Sequence, residues 1–259
     1  MKTTPNRHCL RTLALAVMFF LLNLHGSAAT FTLNPAADAF ITRGPSGNLS
    51  TNNYGGAGAL AIAAPNLPAG EFQSVLQFGL AGAKSSFDTQ FGVGQWSVQS
   101  VTLSLTAVAP NNPIFNSRAA GQFSVSWMQN NGWTEGVGTP ANPTTTGITF
   151  SSLNNFVGLA DQSLGTFNYN GAIGSGPAYS LGLTPSFMSE VLAGNTVSLR
   201  MFAADSVVSY VLDSRNFGTA SARPLLTITA VPEPGSFTLG LLGLALMAHF
   251  RSATRSRQR

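Results

Sequence analysis

The chain has 259 residues, with 13 Lys and Arg against 9 Asp and Glu, a formal net charge of +4 and a single cysteine. Three of the basic residues precede residue 30 and four follow residue 250, so residues 30–230 keep six basic and eight acidic side chains. That middle is mildly acidic, which excludes reading the basic isoelectric point as a nucleic-acid signal. It also contains neither Cys nor His, because Cys9, His8, His25 and His249 all lie in the ends. Disulfides, zinc sites built on Cys or His, Ser-His-Asp triads and Cys nucleophiles are therefore excluded from it. About 200 residues suffice to hold together by an apolar core alone.

The first segment has three parts. Lys2, Arg7 and Arg11 precede an apolar run, Leu13 to Leu22, and then the small residues Ser27, Ala28 and Ala29. This layout predicts a secretory signal peptide over 1–29, cut by signal peptidase after Ala29, with Ala28 as the neighbouring alternative. An N-terminal anchor that stays attached is the other reading. The abrupt change to Asn- and Gly-rich sequence favours cleavage.

Residues 30–230 carry strand signals at intervals, separated by Gly, Pro and Asn clusters. AFITR (39–43) and QSVLQFGL (73–80) come first, and then Val98 to Val108, in which Val101, Leu103 and Leu105 alternate with Thr102, Ser104 and Thr106. Gln122 to Gln129, Thr196 to Phe202, Ser209 to Leu212 and Leu225 to Val231 complete the set. Period-2 alternation with one wet face is the mark of antiparallel sheets. One short helix is predicted over PSFMSEVLA, with Thr184 as its cap, Pro185 at its first position and Gly194 ending it. The stretches 44–58, 109–119 and 136–147 read as loops. The fold predicted is all-β, a jelly-roll-like antiparallel β-sandwich with one short helix, in a single domain over 30–230.

Several short segments in order strengthen this. Ala37-Asp38-Ala39-Phe40, Asn53-Tyr54-Gly55-Gly56, VLQFGL, VQSVTLSLTA, GWTEG at 132–136, NTVSLRMFA and LDSRNFGTASARPLLTIT follow one another. Together they resemble DNRLRE-type extracellular domains, which often accompany polysaccharide-active enzymes. Ser214-Arg215 matches the closing motif, but Asn216 stands where an acidic residue is usual, and Thr139-Pro140 replaces the usual Thr-Trp pair. The resemblance implies a jelly-roll sandwich with a binding or structural role, carbohydrate binding in some relatives.

Chemistry offers few candidates. Exposed aromatics among polar residues make sugar platforms, and Trp133 and Tyr54 are the candidate sugar contacts, with Trp96, Tyr169 and Tyr179 also near polar loops; Trp133 equally suits a structural plug at a sheet edge. Trp127 alternates with Phe123 and Val125 and is assigned to the core. Asp38, with Asn52 and Asn53, could supply oxygens to calcium, the one cofactor these residue types suggest. The same residues also suit plain turn chemistry. Arg215 is expected to pair with a buried carboxylate such as Asp38 or Asp205. The acids read as isolated, with no recognisable catalytic pair, so no enzymatic activity is expected. A hydrolase or lyase of matrix polysaccharide is the alternative.

The tail begins Pro232-Glu233-Pro234. An apolar run follows, Phe237 to Phe250, then Arg251, Arg255, Arg257 and Arg259. As a helix that run reaches about 21 Å against a bilayer core of about 30 Å, short for a permanent span. Its arginines oppose translocation and act as a cytoplasmic stop-transfer signal. The prolines flanking Glu233 are expected to block helix and strand pairing and so keep the triplet extended and accessible. Triplet, apolar helix and Arg cluster over 231–259 resemble the PEP-CTERM sorting signal. A short anchor after a Pro-rich linker is the plainer reading. The resemblance implies transit through the inner membrane of a Gram-negative bacterium and processing by an exosortase. The destination it implies is the cell surface or a matrix of exopolysaccharide and biofilm, with extracellular polysaccharide as a partner and no nucleic acid.

Overall fold

A computed structural model describes residues 27–233. The signal peptide's apolar run, Pro234, the helix expected over Phe237 to Phe250 and the four tail arginines lie outside the described residues. Thirteen strands form two sheets. In chain order they are β1 (Ala29–Leu33), β2 (Ala37–Thr42), β3 (Ala59–Ala63), β4 (Phe72–Gly79), β5 (Trp96–Ser104), β6 (Thr106–Val108) and β7 (Gly121–Met128). Then come β8 (Gln162–Tyr169), β9 (Gly174–Ser175), β10 (Tyr179–Ser180), β11 (Thr196–Ala203), β12 (Ser209–Asp213) and β13 (Leu225–Pro232). The smaller sheet has the order β1-β13-β5-β10. The larger runs β8-β7-β11-β4-β3-β12-β6-β9, with β2 also on β4. All these ladders are antiparallel, as the alternating pattern requires.

The Val98–Val108 run, predicted as one strand, is two. β5 pairs with β13 in the small sheet, and after Leu105 the chain crosses to pair as β6 with β12 in the large one. A corner of this kind keeps the side-chain alternation while changing the partner. β4 makes a similar hand-over. Phe72 pairs with Thr42 on one edge and with Ala63 on the other, just past the point where β11 ends its pairing at Ser74. There the buried Ser74 hydroxyl accepts the Ala61 N–H at 3.0 Å and donates to the Ala61 carbonyl at 2.8 Å, standing in for a ladder rung.

Between the sheets lies the main core, built from Leu76, Phe78, Val101, Leu103, Phe123, Leu199, Ile228 and their neighbours. The outer face of the large sheet is not wet. Val75, Ile41 and Met128 are covered by Trp133, Ile148 and Leu153 from the 130–157 segment. Phe40, Phe72 and Val211 are covered by Tyr54 and Phe115 from two other loops. The Gly- and Asn-rich connections therefore form a third layer, and it is this layer that carries the polar clusters described below.

Among the described residues there are two α-helices where one was expected. The predicted one, Pro185–Ala193, has Pro at its start and ends on Gly194, whose φ of +72° is the left-handed conformation that glycine adopts without strain. Thr184 holds the cap position with extended backbone, but its hydroxyl makes no capping bond. The unexpected helix, Ala81–Phe91, buries Ala83 and Phe87. It has no side-chain cap and no acidic residue in its first turn, so the usual start signals are missing. Phe87 packs on Trp96 at 5.0 Å between ring centres, and Trp96 Nε1 donates to Asp88 Oδ1 at 2.8 Å. Lys84 bonds the other Asp88 oxygen. The Lys84 bond, then the Trp96 bond, hold the Asp88 carboxyl below its usual range. Among the described residues no helix is long and apolar enough to cross a membrane.

Candidate functional site

The segments singled out in the sequence converge at one end of the large sheet. Arg215 sits just after β12 and reaches Glu135 in a two-point grip. Its Nε donates to Glu135 Oε1 at 2.7 Å, and its second nitrogen bonds Oε2. Asp38, at the start of β2, accepts the Arg215 backbone N–H at 2.7 Å, and its own N–H donates to Glu135 Oε1 at 3.2 Å. Asn216 donates to the Gly55 carbonyl at 3.3 Å and to Glu135 Oε1 at 3.2 Å. The expected partner of the Arg215 side chain is thus corrected: it is Glu135, while Asp38 takes the main chain. Asp205 serves elsewhere, accepting the N–H groups of Val207 and Val208 in a turn.

The electrostatics follow from burial. Asp38 is fully buried and one of its oxygens, Oδ1, has no partner among the described residues. Loss of water pushes its carboxyl up to about 7, the Arg215 N–H offsets some of that rise, and the Glu135 charge adds to it. The Glu135 hydrogen bond stabilises the Arg215 guanidinium in its charged form and raises it further. Asp38 and Glu135, isolated in sequence, are neighbours here.

The calcium candidates Asn52 and Asn53 are engaged in hydrogen bonds within and between the loops. Asn53 Oδ1 accepts the N–H groups of Gly55 at 3.2 Å and Gly138 at 3.1 Å, and its Nδ2 donates to the carbonyls of Glu135 at 2.7 Å and Ile148 at 2.8 Å. All four bonding positions of that amide tie three loops together. Asn52 donates to the Tyr54 hydroxyl at 3.1 Å. Among the described residues no three or more His, Cys, Asp or Glu side chains gather as a metal cluster. Gly138 passes so close to Asn53 that a Cβ there would lie 1.9 Å from the Asn53 carbonyl oxygen.

The aromatic platforms also fail to appear where expected. Trp133 is 3% exposed, packs over Val75 and Met128, and donates Nε1 to Ser198 Oγ at 2.9 Å. Tyr54 is 1% exposed and stacks on Phe40 at 4.7 Å. Trp96, Tyr169 and Tyr179 are buried too. None offers a ring face to solvent; each closes the third layer or the core. Trp127 is buried, as assigned.

A different feature opens beside the Glu135–Arg215 pair. A groove of about 700 Å³ lies between the loops around Gly58, Asn112 and Pro140 and the turn Asn216–Gly218. Val211 and Asp213 line its floor from alternate positions of β12, and Phe217, 37% exposed, lines its rim. Asp213 is 2% exposed, and no hydrogen bond or cation among the described residues meets its carboxylate. Desolvation alone pushes it up to about 6. Neither Asp213 nor Phe217 stands out in the sequence. An acidic residue in phase with Val211 on an apolar strand was the available signal.

The second functional feature is where the chain leaves the fold. Ala29 pairs with Ala230, so both termini of the domain meet at one end of the small sheet. Val231 pairs with Ser97 and Pro232 with Trp96, and the Glu233 N–H donates to the Gln95 carbonyl at 2.9 Å. The triplet was expected to stand clear of any ladder; its first residue, Pro232, is instead the last of β13, and Glu233 is tied to Gln95 just beyond it. Proline is tolerated there because the ladder's last position need not use its missing N–H. The domain accordingly runs past residue 230, and a fragment ending there would cut its last strand. Residues 230–257 match the PEP-CTERM protein-sorting motif. No curated protein matches the chain. The motif marks an exported protein, processed by an exosortase and sorted to the cell surface.

Proposed function

We propose that the processed protein is a structural or adhesive component of the bacterial surface or matrix, and that it holds extracellular polysaccharide in the Asp213 groove. In this reading the precursor passes the inner membrane of a Gram-negative cell, signal peptidase removes residues 1–29, and the exosortase acts at Pro232-Glu233-Pro234. The body is a DNRLRE-type sandwich, consistent with the meeting of its Asn53, Glu135 and Arg215 segments. The observation that carries the binding role is Asp213, a carboxylate held in an apolar groove without a partner among the described residues. Such a group gains most from a ligand that brings its own donors. Sugar hydroxyls and amines do so, and Phe217 gives the pyranose face an apolar surface. The charge repels uronates, so the ligand is a neutral or amino-bearing glycan.

Hydrolysis by paired acids would need a second carboxylate about 5–10 Å from Asp213. Among the described residues lining the groove Asp213 is the one acid, which favours binding over cleavage. A glycan array probed with the processed protein tests the proposal. Binding to neutral or amino glycans, lost in Asp213→Asn and Phe217→Ala, is the expected result. No binding to any glycan, the host's own polysaccharide included, overturns it.

A further inference from the structure

We propose that the folded sandwich restrains its own sorting signal, so that the end of β13 must leave β5 before the exosortase can act. The proposal rests on the processing reading above and concerns its regulation. The motif match starts at Ala230, inside a strand that has partners on both sides. Ala230 faces Ala29 of β1 on one edge and Val98 of β5 on the other. Beyond it, Val231, Pro232 and the Glu233 N–H continue along β5 to Gln95. The opposing strand is firmly held at this point. Trp96 is 4% exposed, packed on Phe87 and hydrogen-bonded to Asp88. An enzyme that cuts or transfers a peptide needs backbone groups that are not already paired, and those just before and within the triplet are paired here.

The signal-peptidase site lies at the same end. Ala29 and Thr30 pair with Ala230 and Thr229, so the bond expected to be cut belongs to β1. The two sites lie on different strands. β1 is the edge strand of its sheet, whereas β13 lies between β1 and β5. Opening the β1 edge breaks one ladder; beyond Ala230 the β1 ladder has ended, so freeing Val231 to Glu233 also breaks one, the ladder to β5. Both sites are held by one ladder each, and sorting competes with completion of the small sheet.

Two variants of the full-length precursor test this, followed by pulse-chase and immunoblot in an exosortase-bearing host. In the first, six Gly and Ser residues are inserted between Val231 and Pro232, which leaves every side chain of the sheet up to Val231 in place and moves the triplet off β5. Conversion should quicken about fivefold for each ladder bond no longer to be broken. In the second, Ser97→Cys with Val231→Cys places a disulfide across the directly paired positions, where opposed strands are close enough for one. Conversion should stop under oxidising conditions and return with dithiothreitol. An insertion that leaves the rate unchanged or slower, or an oxidised pair processed at the wild-type rate, overturns the proposal while wild-type conversion stands. A wild-type chain that is never shortened overturns the processing reading itself, and this proposal with it.

Discussion

Replacing Asp213 by asparagine should make the domain more stable at neutral pH while removing its ligand. The wild-type carboxyl is raised from 3.8 to about 6 by desolvation. Between those values the unfolded chain has given up a proton that the folded chain still holds, so stability falls as pH rises through that window and then levels off. Two pH units correspond to about 3 kcal/mol at 1.36 kcal/mol per unit. The groove is open to water, so about half of that, roughly 1.5 kcal/mol, is the working figure. The asparagine side chain carries no charge to desolvate. Asp213→Asn should therefore exceed wild type by about 1.5 kcal/mol at pH 8 and equal it near pH 3.5. In a domain of this size that is about 3–6 °C in Tm. Urea and thermal unfolding of residues 29–233, followed by tryptophan fluorescence and circular dichroism across pH 3.5–8, would measure it. A variant no more stable at pH 8, or a difference that does not vary with pH, refutes the reasoning. An acid kept against stability is a mark of a binding group.

Other outcomes follow from the third layer. Asp38→Asn should flatten the fall in stability that continues toward pH 7, because Asp38 is raised to about 7 by burial; the same unfolding series reads it. Trp133→Phe should cost about 1 kcal/mol through the lost bond to Ser198, with glycan affinity unchanged, since the ring lies under the loops. Glu135→Ala should cost about 2 kcal/mol by urea unfolding, because it strips Arg215, Asn216 and the Asp38 N–H of one shared acceptor. Gly138→Ala should cost about 2 kcal/mol or more in the same assay, since its Cβ would strike the Asn53 carbonyl and push the two loops apart.

Alternation in the sequence revealed most of the long strands, because a half-buried sheet writes a period of two. It could not reveal which sheet a strand joins: Val98 to Val108 is one periodic run and two strands on either side of a corner. Strands of small or polar residues, such as Ala59–Ala63 and Gln162–Tyr169, gave little signal. The helix Ala81–Phe91 gave less, being small and polar with Leu80 at its cap. At the site, Asp38, Asn53, Glu135 and Arg215 stood out in the chain, and the fold does bring them together. Asn and Gly serve calcium loops and loop cross-links equally well, so the chain alone does not separate the two uses. Trp133 and Tyr54 looked exposed because their neighbours are polar, yet those neighbours belong to a layer folded over the sheet. Asp213 was overlooked for the opposite reason. It sits in a strand, and only the three loops around it make its strand end a groove.

The most direct measurement is hydrogen–deuterium exchange on the processed protein with and without the host's polysaccharide. The groove reading predicts added protection in residues 108–113, 139–141 and 216–218, absent in Asp213→Asn. Protection confined to another face of the sandwich, or none at saturating polysaccharide, would contradict it.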